Sequence, residues 1–247
     1  MELRNFFRIN NKAAVAFSGG VDSSYLLYAA LQAGADVRAY YVRSQFQPAF
    51  EFEDACEAAE LIGAEMKVIH LDVLSDETVR ANPSDRCYFC KQHIMGEIIR
   101  AAASDGYDLV VDGTNASDDL SDRPGARALK ELGVRSPLRE CGITKPEVRQ
   151  LSRDAGLPVW NKPAYACLAT RIPCGEEITA EKLAVTEKAE SAVYNMGFRD
   201  FRVRMRGKDA LLQVRVDQYE KAEAELGEIR NRLAGLYRRV ELDTLVR

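Results

Sequence analysis

The chain has 247 residues, enough to bury a substantial core in one domain or two. Its formal net charge of −4 excludes the overall positive field that tight nucleic-acid binding uses, so such binding would need a local basic patch. Because no apolar run reaches membrane-spanning length and residues 1–12 lack the apolar core of a signal peptide, we expect a cytoplasmic protein whose six cysteines are reduced thiols or metal ligands.

The first predicted elements are a strand and a helix joined by a glycine loop. Residues 13–17 are apolar without polar alternation, which is typical of a parallel strand covered on both faces. From Ser23 onward apolar residues recur at helical spacing, and Gly34 ends the helix. The pattern predicts a strand, a tight loop and a helix N-terminus.

The sequence of this loop, SGGVDS, favours an anion site. Gly19 and Gly20 permit positive φ and close approach, so successive amide groups can surround a phosphate, aided by the helix dipole. Ser18 and Ser23 offer hydroxyl donors, and Asp22 is a candidate ligand for a Mg²⁺ that bridges phosphates. An ordinary glycine turn would account for the glycines but not for the ordered motif.

The next segments continue the alternation of strands and helices. Residues 36–42 predict a second strand, residues 50–62 a helix, and residues 65–71 a third strand. Such alternation indicates βαβ units with a parallel sheet, in which ligands bind at the carboxyl ends of the strands. The glycine loop lies at that edge.

A Cys-x-x-Cys motif opens the following helix, which is expected to run to about Ala103. Cys87 and Cys90 could chelate one metal centre, form a redox dithiol or simply be two small core residues. The motif alone leaves these alternatives open.

The fourth predicted strand, residues 108–112, is followed at once by Gly113, Thr114 and Asn115. At a strand's carboxyl end these residues are expected to line a nucleotide site, with Asp118 or Asp119 near a metal. An ordinary helix cap uses the same residue types.

The rest of this layer is predicted to comprise a segment over residues 122–132 that is helical after Pro124, a fifth short strand over residues 134–138 and a helix over residues 144–155. We therefore predict an α/β fold with a doubly wound five-stranded parallel sheet.

Residues 160–175 fit neither the helical nor the strand periodicity of apolar residues. They are expected to form a functional loop that carries Cys167, Arg171 and Cys174. The domain boundary is placed near Gly175, which gives domains 1–175 and 176–247. The remaining cysteines are expected to be small structural residues; they are Cys56, Cys141 and Cys174.

The C-terminal part predicts an α-β-β-α-β unit. Its elements are a helix over residues 178–196, strands over 201–206 and 210–216, a helix over 217–234 and a strand over 238–245. Arg202, Arg204 and Arg206 share one strand face, which suits either a solvated surface or phosphate recognition.

The glycine loop resembles the signature of the PP-loop ATP pyrophosphatases, which cleave ATP between the α and β phosphates. The loop lacks the lysine of the nucleoside-triphosphatase motif GxxxxGK[ST], and its glycines do not have the spacing of the dinucleotide-binding motif GxGxxG. Further motifs, NPSDRCYFCK, GTNASD, DRPG and ACLATRIP, follow in an order that resembles the LarE family of ATP-dependent sulfur transferases over essentially the whole chain.

The resemblance implies a function. Family members adenylate the carboxylates of pyridinium-3,5-dicarboxylate mononucleotide and convert them to thiocarboxylates in making the nickel-pincer nucleotide of lactate racemase. Some members give up the sulfur of one cysteine; others carry three cysteines that hold a [4Fe-4S] cluster. This sequence matches the second kind through Cys87, Cys90 and Cys167. A zinc site is the competitor, and Cys167 is the expected donor if no cluster forms.

The resemblance also assigns residues. It implies catalytic roles for Asp22 and Cys167, and substrate-phosphate binding by Arg202 and Arg204. Glu190 belongs to a further metal site in the family, but Arg215 stands where the pattern has an acidic residue. The predicted binding residues for ATP and Mg²⁺ are Ser18, Gly19, Gly20, Asp22, Ser23, Gly113, Thr114 and Asn115.

Three rival functions are an ammonia-dependent amide synthetase, a tRNA thiolase and a non-enzymatic nucleotide sensor. We expect no glutaminase domain, which leaves synthesis from free ammonia open. The acidic balance disfavours RNA, and a sensor would not need the cysteines. We expect a small nucleotide substrate, no membrane or nucleic-acid partner and a homo-oligomer. The sulfide source, like the number of subunits, is not fixed by the sequence.

Overall fold

The computed structural model describes residues 2–119 and 124–244. The helices are α1 Leu3–Ile9, α2 Val21–Gln32, α3 Ala49–Ile62, α4 Glu77–Arg80, α5 Arg86–Ser104, α6 Pro124–Glu131, α7 Pro137–Glu140, α8 Lys145–Asp154, α9 Ala180–Asn195, α10 Tyr219–Ala224 and α11 Leu226–Leu233. The strands are β1 Lys12–Ala16, β2 Asp36–Arg43, β3 Met66–His70, β4 Val110–Val111, β5 Arg202–Arg206, β6 Asp209–Gln213 and β7 Arg239–Leu242. Within these described ranges, no helix is both long and apolar enough to cross a bilayer.

Two units divide the chain. The first comprises Met1–Val73 and Asp85–Lys162, and the second comprises Leu74–Ser84 and Pro163–Arg247. The sequence placed the boundary near Gly175 and gave no signal that the segment around α4 joins the second unit. That the two parts are separate domains stays a prediction.

A parallel sheet with the order β3-β2-β1-β4 forms the centre of the first unit. Apolar residues alternate between its two faces, as strand geometry requires. Ala13 and Val15 pack in a core with α1, α2, α3 and α8, whereas Ala14 and Val110 pack with α5 and α6. Burial on both faces explains the continuous apolar run of β1 and confirms the predicted doubly wound α/β fold.

The expected fifth strand is wrong in its extent. Arg135 makes only an isolated parallel bridge to Val111, and Pro137 then begins α7, so the sheet has four strands in the described part of the chain. A proline has no N–H to donate to a strand ladder, and it fits the first turn of a helix. The helix predicted after Pro124 is confirmed as α6, Pro124–Glu131, and the preceding Asp122 and Arg123 lie outside the described residues.

In the second unit, β5-β6-β7 form a mixed sheet beside α9, α10 and α11. β5 and β6 are antiparallel and joined by a turn at Gly207, whereas β6 and β7 are parallel. The predicted α-β-β-α-β order is confirmed, but the helix expected over 217–234 is broken. Glu225 leaves the helical region with φ −94° and ψ 5°, and Gly227 weakens the helix beside it. The end of the predicted last strand, Leu245, lies outside the described residues.

Candidate functional site

The glycine loop between β1 and α2 is folded by its own serines. The Ser23 hydroxyl accepts a hydrogen bond from the Ser18 N–H at 3.2 Å and donates to the Gly20 carbonyl at 3.2 Å. Ser23 is 4% exposed, so these bonds are shielded from water. The 12-residue helix α2 therefore starts at the carboxyl edge of the sheet. The amide groups of its first turn have no acceptor within the helix, so they are available to a ligand. Such a helix start is suited to an anion.

Two glycines allow the close packing around this loop. Gly19 has φ +69°, and a Cβ there would lie 2.6 Å from the Ala55 Cα. A Cβ on Gly113 would lie 2.8 Å from the Ser23 backbone nitrogen. Both distances are shorter than contacting atoms tolerate, so Gly113 brings the segment after β4 directly against the start of α2. The structure therefore brings the two predicted segments of the nucleotide site together.

Asp22 lies at the meeting point of three segments of the first unit. Its carboxylate accepts a hydrogen bond from the Asn115 side chain at 3.2 Å and forms an ion pair with Lys145. Asn115 is 3% exposed, whereas the Lys145 and Asp22 side chains are 30% and 23% exposed. A buried amide thus orients a carboxylate that remains open to solvent and cations.

Lys145 is the residue that sequence reasoning missed. It is the first residue of α8, where the helix dipole disfavours a positive charge. A capping box of Thr144 and Glu147 fixes this helix start, and hydrogen bonds from Thr144 lower the pKa of Glu147. In the local sequence, Lys145 is marked only by its place directly before Pro146 at a predicted helix N-terminus.

The segment after β4 is held by a hydrogen-bond network. Asp112 accepts from the Thr114 and Ser136 hydroxyls, both at 2.6 Å. Asp118 accepts from the Asn115 N–H at 3.0 Å, and Arg139 donates to the Asp118 carbonyl at 2.7 Å. Thr114 and Asp118 therefore hold this loop in shape. Nucleotide contact by residues 113–115 and metal contact by Asp118 or Asp119 stay predictions.

The Cys-x-x-Cys pair opens α5 in the first unit. Cys87 is exposed and Cys90 is half-buried, three residues apart on the first turn. Arg86, which is 7% exposed, lies over the Phe46 ring and donates to the Cys87 sulfur at 3.6 Å. The two thiols thus share one turn of helix, as a chelating pair requires.

Cys167 belongs to the second unit. It is half-buried and precedes a short 3-10 helix, Leu168–Arg171, in the segment that fitted no period. Within the described ranges, no group of three or more His, Cys, Asp or Glu side chains is disposed to hold a metal ion. The [4Fe-4S] site of Cys87, Cys90 and Cys167 therefore stays a prediction.

Arg171 and Glu190 form a buried ion pair close to Cys167 in the chain. The Arg171 side chain is 0% exposed and the Glu190 side chain 6%. Their nitrogen and oxygen atoms pair at 2.8 and 3.0 Å, and Tyr165 donates to Glu190 at 2.6 Å. Burial, together with the Glu190 charge, raises the pKa of Tyr165 far above its ordinary value, so the phenol stays a donor.

The predicted phosphate-binding arginines lie on β5. Arg202 is 4% exposed and donates to the Ala164 carbonyl at 3.1 Å. Arg204 is half-buried and donates to the Thr170 carbonyl at 2.9 Å and to Gln213 at 2.5 Å. Both arginines thus contact the Cys167 segment, and their binding of substrate phosphate stays a prediction.

The remaining cysteines differ from one another. Cys56 and Cys141 are half-buried, and burial raises the pKa of the Cys141 thiol. Cys174 is exposed and donates to the Asn82 carbonyl at 3.5 Å, so the expectation that it is a buried structural cysteine is wrong. The irregular segment leaves its sulfur at the surface.

Comparison with known proteins adds an independent observation. Residues 11–117 match the family model described as the tRNA methyl transferase HUP domain. An uncharacterised protein of Synechocystis sp. is 40% identical over 231 residues, covering 92% of this chain and 86% of that protein. The pyridinium-3,5-bisthiocarboxylic acid mononucleotide synthase of Lactiplantibacillus plantarum is 35% identical over 205 residues, covering 82% of this chain and 74% of the synthase. The chain belongs to the LarE family.

Membership of the LarE family makes the chain an ATP-dependent sulfur transferase of the PP-loop superfamily. The superfamily binds ATP with Mg²⁺, and the strand, glycine loop, helix N-terminus and carboxylate described above fit that ligand. A tRNA-specific 2-thiouridylase of Thermotoga sp. is more distant, at 25% identity, covering 76% of this chain and 66% of that enzyme. The comparisons thus relate this chain to sulfur-inserting enzymes with different substrates.

Proposed function

We propose that the protein inserts sulfur into a carboxylate of a pyridinium dicarboxylate mononucleotide and so makes a precursor of the nickel-pincer nucleotide cofactor. The observation that carries this proposal is the 35% identity to the synthase from Lactiplantibacillus plantarum over 82% of this chain. The substrate is a small molecule and not RNA. The acidic balance of the chain supports this choice.

The first half of the proposed reaction activates the carboxylate. A substrate oxygen attacks the α phosphorus of ATP, the bond between that phosphorus and the bridging oxygen breaks, and pyrophosphate leaves. Ser18, Gly19, Gly20 and Ser23 hold the pyrophosphate through backbone amides and hydroxyls, because the loop opens at a helix N-terminus. Residues 113–115 lie beside the nucleotide.

Asp22 and Lys145 set the charge balance of this half-reaction. Asp22 holds Mg²⁺, which when bound neutralises phosphate charge, and the buried Asn115 amide keeps the carboxylate oriented. Lys145 exchanges its ion pair with Asp22 for a phosphate oxygen. The lysine thus has an anionic partner both without and with ATP, which offsets the unfavourable position of a positive charge at a helix N-terminus.

The second half transfers sulfur. A sulfur nucleophile attacks the acyl carbon, the carbon–oxygen bond to AMP breaks, and AMP leaves with the electron pair. Arg202 and Arg204 bind the substrate phosphate in this proposal, as charge-assisted donors suited to planar recognition.

Cys87, Cys90 and Cys167 would hold a [4Fe-4S] cluster, which when bound would supply the sulfur. Support comes from the shared helical turn of the first two cysteines and from the order of the motifs. Three thiolates would leave one iron open for a hydrosulfide. The second candidate is sacrificial donation: the Cys167 sulfur attacks the acyl carbon, and its bond to Cβ then breaks with loss of the α proton, which leaves dehydroalanine.

The activation step is tested with ATP labelled at the α phosphate and the dicarboxylate substrate. AMP and pyrophosphate should form, and Asp22→Ala should suppress both strongly, whereas Asp108→Ala removes an exposed carboxylate outside the site and should not. Formation of ADP and phosphate would show that the proposed chemistry is wrong.

The sulfur step is tested by anaerobic reconstitution. The protein should be brown with about four irons per chain, and alanine variants of Cys87, Cys90 and Cys167 should lose colour and transfer, whereas Cys174→Ala should keep both. If wild-type Cys167 instead loses the mass of hydrogen sulfide after one turnover and the other two variants stay active, donation is sacrificial. Zinc in place of iron would exclude the cluster.

A further inference from the structure

Hydrogen bonds to its backbone hold the segment that carries Cys167, and several of them come from the buried ion pair of Arg171 with Glu190. We infer that Arg171, anchored by Glu190 and assisted by Thr170, is a positioning residue for Cys167. The inference rests on the proposed role of Cys167 in sulfur transfer. It concerns residues of the second unit only.

The Arg171 guanidinium joins Glu190 to the backbone of this segment. Its Nε and Nη2 donate to the two carboxylate oxygens of Glu190, and its Nη1 donates to the Ala166 carbonyl at 2.8 Å and lies 3.3 Å from the Cys167 carbonyl. Burying a charged group is unfavourable unless all its donors have partners. Every nitrogen of this arginine has an acceptor, so its orientation is determined by Glu190 on one side and by the two carbonyls on the other.

Glu190 is fully engaged by protein donors. Besides the arginine, its oxygens accept from the Tyr165 hydroxyl at 2.6 Å and from the Val203 N–H at 2.9 Å. These four bonds occupy the lone pairs that a metal ion would need. In this structure the carboxylate therefore serves as the anchor of Arg171.

Thr170 completes the arrangement at the Cys167 carbonyl. Its N–H and its hydroxyl donate to that oxygen at 3.0 and 2.8 Å, and the hydroxyl also accepts from Arg171 Nη1 at 2.8 Å. One carbonyl therefore receives three donors. The backbone of Cys167, at φ −55° and ψ 150°, is held where the chain turns into the 3-10 helix.

Positioning matters because a sulfur nucleophile or ligand must meet its reaction partner within about half an ångström of the productive position. A displacement of about 1 Å can lower a rate about a hundredfold. The half-buried Cys167 lies in a segment without regular secondary structure before it, so hydrogen bonds to its backbone must supply the rigidity that a helix or strand would otherwise give.

The test uses a matched pair at Thr170, because removing Arg171 or Glu190 alone would leave a buried charge unpaired and strongly destabilise the protein. Thr170→Val deletes the hydroxyl at nearly constant volume, and Thr170→Ser keeps it. Thr186→Val is the control for losing a buried hydroxyl of the second unit that is bonded elsewhere, to the Lys182 carbonyl at 2.8 Å. Arg171→Lys keeps the charge but loses the planar fork.

Two measurements are made on the full chain. The first is the iodoacetamide alkylation rate of Cys167 in the cluster-free protein, resolved by peptide mass spectrometry, with the exposed Cys174 of the same unit as internal reference. Thr170→Val and Arg171→Lys should raise the ratio of the two rates about two- to tenfold, the factor that corresponds to one hydrogen bond. Thr170→Ser and Thr186→Val should leave it unchanged.

The second measurement is kinetic. Thr170→Val should lower the kcat of sulfur transfer about ten- to a hundredfold while the KM for ATP stays constant, because the nucleotide loop belongs to the first unit. An unchanged alkylation ratio in Thr170→Val and Arg171→Lys would overturn the inference. A raised ratio with unchanged sulfur transfer would instead retain the positioning and refute the proposed role of Cys167, so the two failures are distinguishable.

Discussion

Replacing Lys145 tests the charge arrangement at the glycine loop most directly. In Lys145→Met the Asp22 carboxylate loses its cationic partner and keeps the Asn115 amide. Because the two charged side chains are 30% and 23% exposed, the pair should contribute less than about 1 kcal/mol to the free energy of unfolding. The variant should therefore fold with nearly wild-type stability, which urea denaturation can check.

The effect on ATP should be much larger. If Lys145 bonds a phosphate oxygen in the complex, its loss removes one charge-assisted hydrogen bond, which contributes about 1.5–3 kcal/mol. That free energy corresponds to a loss of about ten- to a hundredfold in affinity. Calorimetric titration with an ATP analogue that cannot be cleaved between the α and β phosphates measures it, and pyrophosphate release follows the rate.

Two controls separate phosphate binding from a structural tie. Lys145→Arg keeps the charge and should retain most of the affinity, and Lys130→Met removes an exposed lysine of α6 and should have no effect. A double variant with Asp22→Asn removes both partners of the ion pair. If Lys145→Met binds the analogue within twofold of wild type, or if the double variant recovers wild-type affinity, the lysine serves Asp22 alone.

Other predictions follow from single residues. Gly113→Ala should reduce ATP affinity and thermal stability together, because its Cβ would lie 2.8 Å from a backbone nitrogen of α2; an unchanged melting temperature would contradict the packing. Arg204→Ala should weaken binding of the substrate about ten- to a hundredfold, whereas Arg206→Ala, exposed on the same strand, should not; equal effects in titrations would refute the assignment. The pKa of Asp105 is lowered, chiefly by a hydrogen bond from Lys67. The ionised carboxylate therefore stabilises the fold fully above the ordinary aspartate pKa, and this stabilisation is lost as the pH falls through the pKa of the folded protein. On acidification, the urea midpoint of Asp105→Asn should decline less than that of the wild type.

The parts of the fold that local sequence determines were predictable. The strand, glycine loop and helix around residues 13–34 depend on neighbours in the chain, and their apolar and glycine pattern defines them. The fifth strand failed because Pro137 begins a helix inside the short segment 134–138, where it has no N–H to donate to a strand ladder. The helix expected over residues 217–234 failed similarly at Glu225.

The site was only half predictable, for a physical reason. Asp22 and Asn115 were singled out because they stand after strands of one sheet, whose carboxyl ends meet at the same edge. Lys145 escaped because its partner is remote in sequence and no pattern connects a helix start to a distant carboxylate. The pairing of Arg171 with Glu190 joins an irregular segment to a helix, and it too has no signature along the chain.

Residues 74–84 belong to the second unit, although residues of the first unit precede and follow them in the chain. Asn82 is 2% exposed with φ +56°, and its side chain donates to the Pro173 carbonyl at 2.8 Å, while its own carbonyl accepts from the Gly175 N–H at 2.8 Å. On the ribosome, residues 74–84 emerge long before these partners are synthesised. Until residues 163–175 are made, this strip, residues 74–84, lacks the partners that bury it in the second unit. A chain cut after Lys162 would keep every strand of the parallel sheet and still present that strip to chaperones and proteases.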